Sequence, residues 1–281
     1  MGHVLVVGWA CLDYRFHIES WPPASGRTRA LAYREALGGP AAVAAAAVAA
    51  LGGKAVLLSR RGDDPLGDKI DRMLDRFGVE RVWSLGEESP VSAVLITPQG
   101  ERFIFPYAGR LPKALPDGWR DFLGRAKVVL ADLRWPEAAR SVLQLARDQG
   151  IPRVLDLDRT DDQSLELARL CSHVIASEDV ATAVGGIEGL AKLLPDRFLA
   201  VTLGPKGVAW MGGHLEALPV FPKDTTGAGD VFHGAFVWAL ANGVKEEDGL
   251  RFANRVAGLF VATGEIPSLG RVEESTQGRS P

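Results

Sequence analysis

The chain reads as an α/β protein: a mainly parallel sheet covered by helices on both faces, with a small β-sheet lid over one end. Three observations predict this. Short apolar, β-rich runs alternate with helix-spaced segments along most of the chain, the pattern of strands buried on both faces by crossover helices. Segments 11–36 and 91–107 break that alternation with polar/apolar strand pairs. A loop of small residues, Asp224-Thr225-Thr226-Gly227-Ala228-Gly229-Asp230, leads straight into an apolar helix.

Residues 3–10 form the first apolar run, and 11–36 follow as a hairpin with turn signals at Pro22-Pro23 or Ser25-Gly26. Gly38-Gly39 opens an Ala-rich helix over 40–51, whose Pro40 suits a first helical turn. That stretch is too short to span a bilayer and reads as a buried helix. A strand at 54–59 comes next, then a helix over 67–77 with Ile70, Met73, Leu74 and Phe77 on one face. The second hairpin, 91–107, turns at Pro98-Gln99-Gly100 and is expected to pair with the first as a lid. Strands at 127–130, 153–157, 173–176 and 198–203 alternate with helices at 137–149, 163–171 and 187–194. An apolar helix spans 231–240, and the polar tail 273–281 is expected to fray. With no repeat, linker or heptad, 1–281 is expected to be a single domain, its lid formed by about 12–36 and 91–107.

Composition excludes more than it selects. A net charge of −3 over 281 residues offers no footprint for nucleic acid or an anionic membrane. Cys11 and Cys171 supply neither a disulfide framework nor metal spacing, which suits a reducing cytosol. No basic region precedes the first apolar run, and Asp13 closes it early, so no signal peptide is expected. Val6 stands where myristoylation after Met1-Gly2 needs Ser or Thr. A cytoplasmic protein is expected.

The chemistry concentrates at the small-residue loop. A helix start offers unpaired N–H groups and the positive end of the macrodipole, a cradle for anions. Gly227, Ala228 and Gly229 let backbone approach a phosphate closely. Asp230 at the rim is placed to take a proton from an attacking hydroxyl. Asp224 reads equally as a turn acid or as part of this centre. In an open parallel sheet, such motifs converge outside the carboxyl ends of the strands. A dinucleotide fold would need Gly-x-Gly-x-x-Gly after the first strand, and Gly8-Trp9-Ala10-Cys11 has one glycine, so that class is set aside.

The loop resembles the C-terminal signature of the ribokinase family of carbohydrate kinases, the B-type phosphofructokinase group. Gly38-Gly39-Pro40-Ala41-Ala42 resembles its di-glycine sugar motif, Gly62-Asp63-Asp64-Pro65-Leu66-Gly67 its Gly-Asp-Asp-x-x-Gly segment, and Thr202-Leu203-Gly204-Pro205-Lys206-Gly207 its Thr-x-Gly-x-x-Gly. Four motifs in family order cover nearly the whole chain. The resemblance implies a ribokinase-like three-layer sandwich and ATP-dependent phosphoryl transfer to a sugar hydroxyl. It implies Asp230 as base, the Gly227–Gly229 amides as anion hole, and Asp13, Gly38 and Gly39 at the sugar. Thr202, Gly204 and Gly207 would line the nucleotide path, with Asp224 near the triphosphate and Asn254 beside adenine. Asp13 also reads as a turn residue, and Asn254 as a solvated helix residue. Mg2+ on the nucleotide and a monovalent cation near Asp224 are implied as well.

Departures from the pattern are specific. Relatives carry Asn, then Glu three residues later, near magnesium; here those positions are Ser177 and Val180, leaving Glu178 or Asp179 to substitute. Pro40 replaces an Asn after the di-glycine, and Thr263-Gly264-Glu265-Ile266 matches the potassium-site motif only loosely. These departures, with Ala131-Asp132-Leu133-Arg134-Trp135, Leu155-Asp156-Leu157-Asp158 and Ser177-Glu178, look like the 6-deoxy-6-sulfofructose kinase branch. That branch implies a ketose with a terminal anion, read by Arg134 and Arg27, since a planar guanidinium pairs well with sulfonate or phosphate. Each also reads as a surface arginine, and the branch's lid Asn is Pro106 here. A sugar- or nucleoside-binding regulator with impaired catalysis is the alternative function. Phe16, Ile18 and 103–105 on the lid suit either a clasp to a second copy, giving a homodimer, or a cover over the chain's own sugar.

Overall fold

Val4 and Val6 of the first strand join one apolar core, while Leu5 and Val7 join a second on the opposite side. Because side chains alternate along a strand, this period of two means the sheet is buried on both faces. The computed structural model describes residues 3–22 and 26–276. The chain leaves β1 (His3–Gly8) for lid strands β2 (Cys11–Ile18) and β3 (Ala30–Gly38). It returns through α1 (Pro40–Ala50), β4 (Lys54–Gly62), α2 (Pro65–Asp75) and β5 (Glu80–Gly86), then revisits the lid as β6 (Val91–Ile96) and β7 (Arg102–Tyr107). Regular alternation follows: α3 (Trp119–Leu123), β8 (Ala126–Ala131), α4 (Pro136–Asp148), β9 (Arg153–Leu157), α5 (Asp162–Leu170) and β10 (His173–Ser177). Then come α6 (Glu178–Ala183), α7 (Gly186–Leu193), β11 (Phe198–Thr202), β12 (Val208–Trp210) and β13 (Gly213–Leu215). Helices α8 (Ala228–Ala241), α9 (Glu246–Thr263) and α10 (Leu269–Thr276) complete the described fold.

The main sheet runs β13-β12-β11-β10-β9-β8-β1-β4-β5, parallel except for β12 and β13. Helices α1, α2, α8 and α9 pack on one face and α3, α4, α5 and α7 on the other. The expected three-layer α/β sandwich is what forms. Since β1 lies between β4 and β8, the crossovers reverse direction there. That switch point opens a crevice outside the carboxyl ends of β1 and β8, where ligands bind in such sheets.

The lid is a four-stranded sheet in the order β3-β2-β6-β7, with β2 and β6 parallel and both outer pairs antiparallel. Register puts Asp13, Arg15, Arg34, Val94, Ile104 and Arg102 on one face. Tyr14, Phe16, Tyr33, Leu95, Phe103 and Phe105 share the other. The expected apolar lid face is thereby corrected: Ile104 lines the cavity below, and Ile18 is buried. Outside, Phe16 packs against Tyr33 and Trp21 against Phe103.

Several elements differ from their expected bounds. The first run divides at Gly8, because Cys11 already pairs with Gly38 in the lid. Strand β5 is an edge strand in which only Val82 and Ser84 are buried, so its apolar signal is weak. The tail is helical through Thr276, where Val272 packs into the core. Residues 277–281, Met1-Gly2, and the turn residues Pro23 and Ser25 lie outside the described residues.

Two motifs find their roles here. Asp64 caps α2 by accepting from Gly67 N at 2.7 Å, and the same carboxylate accepts from Ser89 N and Ser89 Oγ just before β6. The Gly-Asp-Asp segment therefore ties the second lid pair to the body. Helices α1 and α8 approach closely because α1 presents alanines and α8 presents Gly234, where a Cβ would sit 2.4 Å from Ala44 O.

Candidate active site

Asp132, at the end of β8, builds the floor of the switch-point crevice. Its Oδ2 accepts from Trp9 N at 2.7 Å and Ala41 N at 3.2 Å, and its Oδ1 from Arg134 N at 2.8 Å. One buried carboxylate thus joins β1, the di-glycine turn and the Arg134 strand end. The di-glycine is then a packing necessity. A Cβ on Gly38 would sit 2.1 Å from Asp13 Oδ1; Gly39 has φ +89° and would place one 2.4 Å from Trp9 O. Only glycine leaves Asp13 its place.

Two cavities open in this region of the fold. One, of about 660 Å³, is lined by Asp13, Gly38, Gly39, Arg134 and Asp230, among others. The second, of about 1050 Å³, is lined by Thr202, Gly204, Gly207, Asp224 and Asn254 together with residues 227–230. Arg102, Thr226, Gly227 and Asp230 line both. Among the described residues Asp230 makes no ion pair or hydrogen bond through its carboxylate, so it is free to accept one from a ligand hydroxyl. Burial, reinforced by Asp156 and opposed by Arg134, raises its pKa well above the usual carboxylate range. Gly227 caps α8 with φ +92°, and Ala228 and Gly229 form the first turn of that helix.

The predicted sugar-side and nucleotide-side residues therefore separate into two cavities that meet at the predicted base. Two residues stand apart. Arg27 is exposed and lines neither cavity, and Glu178, which also lines neither, pairs at 2.7 Å with Lys206 in the lining of the nucleotide cavity. Gly207, with φ +92°, would place a Cβ 1.9 Å from Leu215 O, so the turn into β12 requires it. Asn254 donates to Glu216 O at 2.8 Å.

Sequence reasoning missed the lid arginines. Buried Arg15 donates to Asp13 at 3.0 Å and to Asp224 at 3.0 Å, coupling the sugar-side acid to the phosphate loop. Arg34, its cross-strand neighbour, also pairs with Asp224. Arg102 donates to Thr225 O at 2.9 Å. The signal was present for Arg15, since a residue two positions after Asp13 on a strand shares its face.

These groups bear on both implied ions. Asp224 is paired with two arginines, and Thr226 O accepts weakly from Arg15 at 3.4 Å. They do not fit as open ligands for a monovalent cation. For Mg2+, Glu178 is outside the nucleotide cavity, Val180 is packed in the core, and the described residues contain no cluster of three metal-binding side chains. No protein-built magnesium cage fits among the described residues.

The pfkB family carbohydrate kinase profile matches residues 1–266. A Bacillus subtilis ribokinase is 28% identical over 98% of this chain and 99% of its own. A ribokinase candidate from Agrobacterium tumefaciens superposes with TM-score 0.88 at 33% identity, covering 98% of this chain and 97% of that one. Arabidopsis thaliana ribokinase, solved with ribose and ATP, superposes with TM-score 0.83 at 25% identity over 98% of each chain. The chain belongs to the pfkB family of carbohydrate kinases. It is an ATP-dependent sugar kinase of the ribokinase type.

Proposed function

We propose that the chain transfers the γ-phosphoryl group of ATP to a sugar hydroxyl held at Asp230. The carrying observation is that Asp230 and Gly227 line both cavities, so a sugar beside Asp13 and a nucleotide beside Thr202 would meet there. The Arabidopsis relative's ribose and ATP support that assignment. Asp13, held against Gly38 by Arg15, orients the sugar hydroxyls. Asp230 takes the proton of the attacking hydroxyl, a role worth about 10²–10⁴ in rate. The N–H groups of Gly227 and Gly229 stabilise charge on the transferring phosphoryl; the expected third amide, Ala228 N, instead donates to Thr225 O at 3.2 Å. Since the described residues build no magnesium cage, Mg2+ would have to arrive with ATP, where it would neutralise charge on the phosphates.

The finer reading is a ketose with a terminal anion, such as 6-deoxy-6-sulfofructose. Arg134 and Arg159 both line the sugar cavity, and Arg134 Nη1 has no hydrogen-bond partner among the described residues. A neutral sugar is favoured by the Arg134–Asp158 pair, with Asp132 and Asp156 close enough to hold the guanidinium charged. Steady-state kinetics with Mg-ATP and ketoses, with and without a terminal sulfonate or phosphate, separate the two. An anion read by Arg134 raises kcat/KM roughly 10–150-fold, the worth of a charge-assisted hydrogen bond. Arg134→Met then erases most of that preference and spares activity on the neutral sugar. Equal efficiency on charged and neutral ketoses decides for the neutral sugar.

As partner we propose a second copy of this chain at the outer lid face, where Tyr33, Phe105 and Tyr107 are about half exposed. Light scattering at micromolar concentration should give twice the 30.1 kDa chain mass, and a monomer mass overturns the clasp.

A further inference from the structure

Arg102 differs from the other two arginines on the inner lid face. Arg15 and Arg34 are each matched by carboxylates, Asp13 and Asp224 for the first and Asp224 for the second. Arg102 has no carboxylate within ion-pair distance among the described residues and donates only to the carbonyl of Thr225. A carbonyl dipole does not cancel a full charge. Among the described residues Arg102 is also the one arginine lining both the sugar cavity and the nucleotide cavity, with Asp230 and Gly227 as fellow residues of the junction. Arg102 is exposed at the cavity junction, where the Arg15 charge presses against its own and Asp230 relieves it. The lid therefore carries an unmatched guanidinium to the place where negative charge would cross between the cavities.

We propose that Arg102 is a catalytic residue of this kinase: a lid-borne arginine that contacts the transferring phosphoryl group, opposite the amides of Gly227 and Gly229. The inference rests on the kinase reading above and deepens it. In the step, the acceptor oxygen bonds to the γ-phosphorus as the bond from phosphorus to the β,γ-bridging oxygen breaks. The acceptor proton passes to Asp230, and ADP leaves with the electron pair. Arg102 exchanges no proton; it neutralises charge on the equatorial oxygens, where preorganised donors act most strongly. Its strand position couples this to closure. Arg102 pairs with Ile96 across β6–β7, and Ile96 with His17 across β6–β2, so the guanidinium that meets Thr225 O is carried by the four-stranded sheet. Closing the lid over sugar would then complete the charge-stabilising site before transfer.

The test is Arg102→Met, read three ways. With Mg-ATP and the best acceptor sugar, kcat should fall about 10²–10³-fold, the range of one lost donor to developing charge. KM for the sugar should stay within about threefold. Guanidinium ion at millimolar concentration should restore part of the lost kcat, which it would not do for a variant with a misfolded lid. ADP with aluminium fluoride and sugar should bind the variant more weakly by a similar factor, while ADP alone binds as to wild type. A kcat within threefold of wild type overturns the proposal. A fall in kcat without guanidinium rescue, matched by an equal loss of ADP affinity, overturns it too. The kinase reading fails separately, if the wild-type chain itself turns over no sugar and shows no aluminium fluoride enhancement of ADP binding.

Discussion

Asp230→Asn will lower kcat by about 10²–10⁴, the usual worth of a positioned general base, while ADP affinity stays near wild type. The substitution keeps the shape and removes the proton acceptor. It breaks no internal contact, because the carboxylate makes no ion pair or hydrogen bond among the described residues. The pH profile follows from the surroundings. Burial raises the Asp230 pKa, Asp156, Asp132 and Asp13 raise it further, and Arg134 lowers it. Arg102 faces it across the junction, and His233, one turn along α8, sits 3.7 Å from Asp156. A base works only when ionised, so kcat/KM for wild type should rise with pH through an ionisation above the ordinary carboxylate range. Stability carries the opposite sign. A carboxyl whose folded pKa is raised contributes stability below its unfolded pKa, and loses it as pH rises through the folded value. Neutral Asn should therefore melt at or above the wild-type temperature near pH 7. Retention of more than half the wild-type turnover would remove Asp230 from the mechanism.

The phosphate loop was legible because its turn, helix start and acid all fall within seven residues. Asp13 was legible only through the family resemblance, since a lone acid after a strand otherwise reads as a turn residue. Arg15 could then have been read from Asp13, two positions on. Arg102 could not, since its partner Thr225 is 123 residues away and meets it only through lid docking. Asp132 is similar: its role depends on β8 lying beside β1, a matter of sheet order that local periodicity does not encode. Arg27 illustrates the converse. A basic residue on a lid segment satisfies a family pattern, yet its exposed position outside both cavities comes from the length and path of the β2–β3 connection. The Gly-Asp-Asp motif was visible as a string, whereas its work as a tie to Ser89 needed the second lid excursion in place.

Gly229→Val should lower kcat/KM for ATP by about 10²–10³, the scale of a lost charge-stabilising contact, without unfolding the protein. The reason is not backbone distortion, although glycine tolerates conformations that valine does not. Gly229 lies in the first turn of α8 outside the left-handed region, and a Cβ there meets no atom within 4 Å. A valine would fit the helix and project into the nucleotide cavity, excluding phosphate from the amides. The conformational demand falls instead on Gly227, with φ +92° and a Cβ position 3.6 Å from Val43. Gly227→Ala should therefore cost about 1–2 kcal/mol of stability through left-handed strain, whereas Gly229→Val should melt near wild type. ATP titration and thermal melts on both variants separate access from strain. If Gly229→Val binds and turns over ATP normally, the phosphates lie elsewhere in the nucleotide cavity, and the amides of Gly227 and Gly229 lose their role as the charge-stabilising site.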